Sequence, residues 1–244
     1  MNKKTDSVFN EVQKAETIPE QSKEFFSKIY GLDLMKENIY RVLLAKEQVN
    51  VLLIGPPATS KTLFMIVIQN QCNDVCYFDA ANTSGAGLIE VLYQHQKSKI
   101  LIIDEIDKLK KNDLNSLLGL LNNGKVDKSL KGVTYNFSMN CKIFATSNSN
   151  TKLSKPVRSR FQEYHLPEYS DDEYIEVVKF CLAEKITLTT AEIIAKILLA
   201  HERKDVRAAI SISNLLQRGD TMDDIARVVE TWINYKSQDS IDYN

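Results

Sequence analysis

Between the apolar run Val51-Leu-Leu-Ile54 and a helix-forming stretch that starts at Lys61 lies an octapeptide of Gly55, Pro56, Pro57, Ala58, Thr59, Ser60, Lys61 and Thr62. A strand, a tight turn of small residues and a helix in that order aim backbone N–H groups at one point, at the positive end of the helix. That arrangement cradles phosphate. Lys61 supplies a mobile cation for the β- and γ-phosphates, and Thr62 a hydroxyl for Mg²⁺. The usual spacing has glycine directly before the lysine, and here Ser60 takes that place. The position needs a small residue so that the backbone can approach phosphate, and serine is small. All eight residues are therefore expected to contact a bound nucleotide.

A second segment, Ile100-Leu-Ile-Ile-Asp104-Glu105, ends a strand-length apolar run on two carboxylates. In a parallel sheet the carboxyl ends of the strands line the ligand crevice. Neither acid is cheap to leave there without a metal or a partner. Asp104 is expected to hold Mg²⁺, and Glu105 to orient or deprotonate an attacking water. Asp107 and Lys108 are read as a solvated loop.

Strand-like and helix-like patterns alternate around these segments, which predicts an α/β fold with a parallel sheet. Strands are expected at 49–55, 75–81, 99–105, 141–147 and 163–166. Leu114, Leu117, Leu118 and Leu121 form a helical stripe ending near Gly124. After Ser170 the pattern becomes entirely helical, opening on the capping-box spacing Ser170-Asp-Asp-Glu173. The expected division is a polar arm at 1–24, an α/β nucleotide-binding core at 25–169, a helical lid at 170–236 and a tail at 237–244.

Composition excludes several classes. With 31 Lys+Arg against 32 Asp+Glu the chain has no bulk attraction for nucleic acid, though a local basic patch stays open. No apolar run is long enough to span a bilayer, and the opening MNKKTDSVFN has no secretory pattern, so a cytoplasmic protein without membrane contact is expected. The four cysteines lack the pairing of a zinc site and are read as buried thiols, and His95, His165 and His201 show no metal spacing.

With both phosphate-site segments placed, the chain resembles the AAA+ ATPases from about residue 25 onward. The resemblance implies a P-loop NTPase core with a five-stranded parallel sheet, a small all-helical lid, and ATP with Mg²⁺ bound between them. Ile29-Tyr30-Gly31-Leu-Asp33 looks like the family's adenine-side segment, which implicates Tyr30 and Gly31. Asn148, closing FATSN, matches sensor 1. Lys155-Pro-Val-Arg158-Ser-Arg160-Phe161 is similar to the element that carries the arginine finger, with Arg160 the closer match. Lys204-Asp-Val-Arg207 matches sensor 2 on the lid. A finger acting on a neighbour's site implies a ring of copies of this chain, expected to be a hexamer.

The stretch GKVDKSLKGVTYNFSMN reads as two short strands around Lys131-Gly132, placed before sensor 1. This hairpin is similar to one found in RuvB-type branch-migration motors, minichromosome-maintenance helicases and MoxR-type ATPases. Its Lys125, Lys128 and Lys131, with Tyr135 and Phe137 nearby, read either as a basic tip for DNA across 125–140 or as an exposed, solubilising hairpin. Asn82 reads either as a partner for Glu105 or as a helix cap. RuvB-type motors carry a DNA-binding domain after the lid, so a partner protein is expected to supply one here. The expected function is a RuvB-like DNA motor. A MoxR-like chaperone ATPase and a nucleotide-switched subunit with little hydrolysis are the alternatives.

Overall fold

The structure, a computed structural model, describes residues 18–130, 132–149 and 151–236. The chain divides into two compact units between Pro167 and Glu168. The first opens with helices α1 (18–25) and α2 (Asp33–Leu44). It continues through β1 (Asn50–Ile54), α3 (Lys61–Gln71), β2 (Val75–Asp79), α4 (Gly85–Gln94) and β3 (Ile100–Asp104). Then come α5 (Lys111–Ser116), α6 (Leu118–Asn123), the hairpin β4 (Lys125–Leu130) and β5 (Val133–Ser138), β6 (Lys142–Ser147), α7 (Lys155–Arg158) and β7 (Gln162–His165).

Among the described residues, five strands form one sheet in the order β2-β3-β6-β1-β7, every neighbouring pair parallel. This is the α/β sheet that the alternating pattern predicts. Its central strands are apolar at consecutive positions, Val51–Ile54, Ile100–Ile103 and Ile143–Ala145, because both faces are covered. Leu52, Ile54, Leu101, Ile103, Ile143 and Ala145 face a core shared with α4, α5 and α6. Val51, Leu53, Ile100, Ile102 and Phe144 face the opposite core, built with α2 and α3. The strand period of two thus deals alternate residues to the two layers.

Local structure departs from the sequence reading in two places. Residues 1–17 and 237–244, the expected arm and tail, lie outside the described residues. Residues 18–24, read as part of that arm, instead belong to α1. Pro19 sits in its first turn, where a missing N–H costs nothing. The buried Ser22 hydroxyl donates to the Pro19 carbonyl at 2.8 Å, and Phe26 just beyond is fully buried against Phe64. The Leu114–Leu121 stripe is broken at Leu117 into α5 and α6, and Gly124 closes it in the left-handed region at φ 72°.

Gly55 is fixed by close approach. A Cβ there would lie 2.5 Å from the Leu166 carbonyl oxygen, which follows β7. Leu166 in turn donates its N–H to Ile54 at 2.7 Å, so neither backbone can move aside cheaply. Gly55→Ala is expected to cost about 1–3 kcal/mol of stability by overpacking. Chemical denaturation of the two proteins side by side checks this.

The second unit contains α8 (Asp171–Leu182), α9 (Leu188–Ala200), α10 (Val206–Ser213) and α11 (Met222–Lys236). Its core gathers Tyr174, Val178, Ile194, Leu198, Ile212 and Val229. Ser170 and Glu173 form the reciprocal capping box that their spacing predicts. The buried Tyr174 hydroxyl donates to the Asp205 carbonyl at 3.2 Å, which joins α8 to the start of α10. No described helix in either unit is long and apolar enough to cross a membrane.

Candidate active site

The octapeptide forms the turn between β1 and α3. Lys61 is only 5% exposed, and its Nζ donates to the carbonyls of Gly55 at 2.8 Å and Pro56 at 2.6 Å, and to Thr59 Oγ1 at 3.1 Å. The Thr59 hydroxyl donates to the Pro56 carbonyl at 3.0 Å. Ala58 bends the turn with φ 63°, a left-handed conformation uncommon for a residue with a side chain. Ser60, in contrast, has φ −69° and ψ 10°, which any residue adopts. The position therefore does not demand glycine on conformational grounds. Thr62 is exposed in the first turn of α3.

The carboxylates lie at the ends of the central strands. Asp104 is 7% exposed and receives two hydroxyl donors, Tyr77 from β2 at 3.0 Å on Oδ2 and Thr146 from β6 on Oδ1. Burial, and then the neighbouring Asp104 carboxylate, push the Tyr77 hydroxyl well above its usual pKa, so it remains a donor. Thr146 also accepts the Glu105 backbone N–H at 2.9 Å. Glu105 leaves the strand at φ 54°, a second left-handed residue with a side chain. Such conformations persist where the surroundings over-determine them, and they cluster at functional sites.

Asn148 Nδ2 donates to Glu105 Oε1 at 3.3 Å, which brings the residue matching sensor 1 against the acid expected to act on water. Asn82 is not the partner of Glu105. It donates to Asp79 Oδ2 at 2.7 Å, and Ser84 is the cap of α4. Asp107, read as solvated, is 6% exposed and accepts the Asn148 backbone N–H at 3.3 Å. Sequence reasoning missed Thr146 and Tyr77. A hydroxyl closing the otherwise apolar β6 run was a signal for Thr146. Tyr77 becomes visible only through strand register.

The two candidate finger residues differ in their commitments. Arg158 makes a two-pronged ion pair with Glu163, both contacts at 2.7 Å, and holds that carboxyl below its ordinary pKa. Arg160 donates Nη1 to the Pro156 carbonyl at 2.5 Å, while its buried Nε has no hydrogen-bond partner among the described residues. Arg207 lies at the start of α10 in the second unit, 76% exposed and 3.5 Å from Asp205. Tyr30 is 37% exposed and precedes two consecutive left-handed residues, Gly31 and Leu32.

The hairpin forms as expected, with Lys125 opposite Ser138 and Leu130 opposite Val133. Three of the side chains read as a basic tip have partners in neighbouring helices. Lys128 Nζ donates to Ser116 Oγ of α5 at 2.6 Å. Tyr135 and Phe137 pack edge-on against Tyr93 of α4, with ring centres 5.4 and 5.5 Å away. Lys125 is exposed, and Lys131 lies outside the described residues. A cavity of about 440 Å³ lies between α4 and β5, lined by Glu90, Tyr93, Gln94 and residues 133–136. Elsewhere, burial raises the thiols of Cys76 to about 11 and Cys141 to about 12, as expected of apolar core residues.

Comparison with known proteins finds likenesses to this geometry. Residues 51–168 match the model of the ATPase family associated with various cellular activities (AAA). The chain is 22% identical over 255 residues to DNA replication licensing factor Mcm6 of Anopheles gambiae, covering 88% of this chain and 31% of that protein. It is 24% identical over 173 residues to DNA replication licensing factor mcm2 of Xenopus tropicalis, covering 54% and 20%. Among solved structures, the Thermotoga maritima RuvB Holliday junction branch migration motor superposes with a TM-score of 0.61 at 22% identity, covering 82% of this chain and 69% of that one. A variant of the same motor reaches 0.66 at 21% identity. The likeness establishes the fold, and the chain spans about a third or less of its licensing-factor relatives.

Proposed function

We propose that this chain, whose residues 51–168 match the model of the AAA ATPase family, binds Mg·ATP at its phosphate loop and hydrolyses it in a ring of copies, as the motor of a DNA-processing assembly in the cytoplasm. The observation that carries the catalytic part is the contact of Glu105 with Asn148 at the carboxyl end of the parallel sheet. It would put a general base and a water-positioning amide side by side, just past the ends of β3 and β6, and β6 adjoins the strand that feeds the phosphate loop.

The residues fit a hard divalent cation. Each carboxylate oxygen of Asp104 retains acceptor capacity beyond its hydroxyl donor, and hydroxyl and carboxylate oxygens are the ligands Mg²⁺ takes. No described cluster of three or more His, Cys, Asp or Glu converges to hold a metal, so phosphate and water would supply most of the ligands. Thr62 and Asp104 would hold Mg²⁺, whose charge would offset that of the β- and γ-phosphates. Lys61 would release the loop carbonyls and turn to those phosphates. The backbone N–H groups of 55–62 would cradle them, with Tyr30 and Gly31 on the adenine side. Glu105 would take a proton from the water held by Asn148 as its oxygen bonds to the γ-phosphorus and the bond to the ADP oxygen breaks. Arg207 and the Arg160 of a neighbouring copy would balance the charge that develops.

The likeness to RuvB and to the licensing factors supports DNA as the substrate, with a ring of six and a partner supplying further DNA contacts. The hairpin favours a second reading, a protein partner remodelled in the MoxR manner. Its Lys128, Tyr135 and Phe137 are committed to α5 and α4, whereas Tyr93 and Val133 beside the 440 Å³ cavity are about half exposed, at 47% and 53%. Steady-state ATPase rates with no DNA, single strands, duplex and four-way junctions separate the two. A several-fold rise with DNA is expected for a DNA motor. Turnover that ignores every DNA but rises with a protein partner would sink that reading in favour of remodelling.

A further inference from the structure

We propose that Tyr77 is a positioning residue for the carboxylate of Asp104, setting how strongly this chain couples nucleotide binding to Mg²⁺. The inference rests on the ATPase reading above. It concerns a residue outside the phosphate loop, the acidic pair and the sensor positions.

Register makes the contact specific. Tyr77 pairs with Ile102, and the residue of β2 opposite Asp104 is Asp79. The Tyr77 side chain therefore reaches two rungs forward along its face of the sheet to place a hydroxyl on Asp104 Oδ2. Of the apolar residues common in strands, phenylalanine could fill the same space, but it has no hydroxyl to donate. From the opposite side Thr146 occupies Oδ1. Asp104 is thus gripped from both neighbouring strands, one donor to each oxygen, and its plane is set by the sheet rather than by its own side-chain torsions. Thr146 has backbone to serve as well, since it accepts the Glu105 N–H. Tyr77 serves the carboxylate itself, and Asp79 directs its own oxygens to Ala81 and Asn82. Without the tyrosine hydroxyl, Oδ2 loses its donor and the carboxylate can turn about its last torsion. Its remaining lone pairs are then no longer held in one orientation.

The experiment uses the full chain and a fluorescent adenine nucleotide, titrated once with Mg²⁺ and once with EDTA. In the wild type, Mg²⁺ tightens binding. In Tyr77→Phe the tightening is expected to shrink about ten- to hundredfold, in line with loss of one hydrogen bond to a charged group. Affinity in EDTA should match the wild type, which also reports that the phosphate loop is folded. Thr146→Ser, which keeps a hydroxyl, should retain the full effect of Mg²⁺. An unchanged Mg²⁺ effect in Tyr77→Phe overturns the inference and leaves the ATPase reading intact. Equal loss of affinity in Mg²⁺ and in EDTA overturns it too, by making the hydroxyl a general structural contact. A wild type whose nucleotide affinity ignores Mg²⁺ overturns both this inference and the reading beneath it.

Discussion

Glu105→Gln is expected to lower steady-state ATP turnover by about 10²- to 10⁴-fold, the range for loss of a general base, with nucleotide affinity nearly unchanged. Glutamine keeps the size of the side chain and an oxygen to accept the Asn148 amide, which reaches Glu105 Oε1 at 3.3 Å. It cannot take a proton. The backbone at φ 54° should be undisturbed, because it is held through the N–H to Thr146 rather than through the side chain. A coupled phosphate-release assay and equilibrium binding check the two halves. Turnover within about threefold of wild type, well short of a lost base, would remove Glu105 from the base role. Asp107, buried and in contact with the Asn148 backbone, would become the next acid to test.

Arg160→Ala is expected to be as damaging, by about 10³–10⁵-fold in turnover if it acts as a finger, and the loss should be reversible by mixing. An Arg160→Ala subunit has a complete site of its own but offers nothing to its neighbour. A Glu105→Gln subunit has a dead site but an intact arginine. Combined, the two inactive proteins should regain part of the wild-type rate, read from a titration of one into the other. Arg158→Ala should behave differently, because both prongs of Arg158 are spent on Glu163. It should lower thermal stability more than turnover. Absence of recovery on mixing, with both variants folded, would place the arginine's action within one chain.

The legible parts of this protein are those written in consecutive residues. Gly55 to Thr62 and Asp104-Glu105 declare their chemistry because the strand, the turn and the polar residues at its end are contiguous. The capping box at Ser170 and Glu173 is legible for the same reason, being a contact over three residues. What escaped notice depends on pairing between strands or on packing of distant segments. Nothing in the composition of β2 says that Tyr77 meets Asp104, because that contact exists only in one register. Asp107 reads as solvated from its charged neighbours, yet the turn that follows Glu105 buries it under Asn148. Lys128, Tyr135 and Phe137 look like a ligand-facing tip in sequence, and only the neighbouring α4 and α5 show where they are engaged. The helix at 18–25 is hidden by its polar composition, since the large apolar residues that anchor it stand at and beyond its end.

The grip on Asp104 also bears on when the site comes into being as the chain folds. Its two donors are 27 and 42 residues distant in sequence and sit on different strands. Contacts of such separation form only after the loop-closure entropy of the intervening crossovers has been met, so they arise late relative to local helix. An early intermediate with α3 and its phosphate turn in place would lack the oriented carboxylate. Followed through refolding, recovery of helical signal should therefore precede recovery of metal-dependent nucleotide capture, and the interval between them times the zipping of β2 and β6 onto β3.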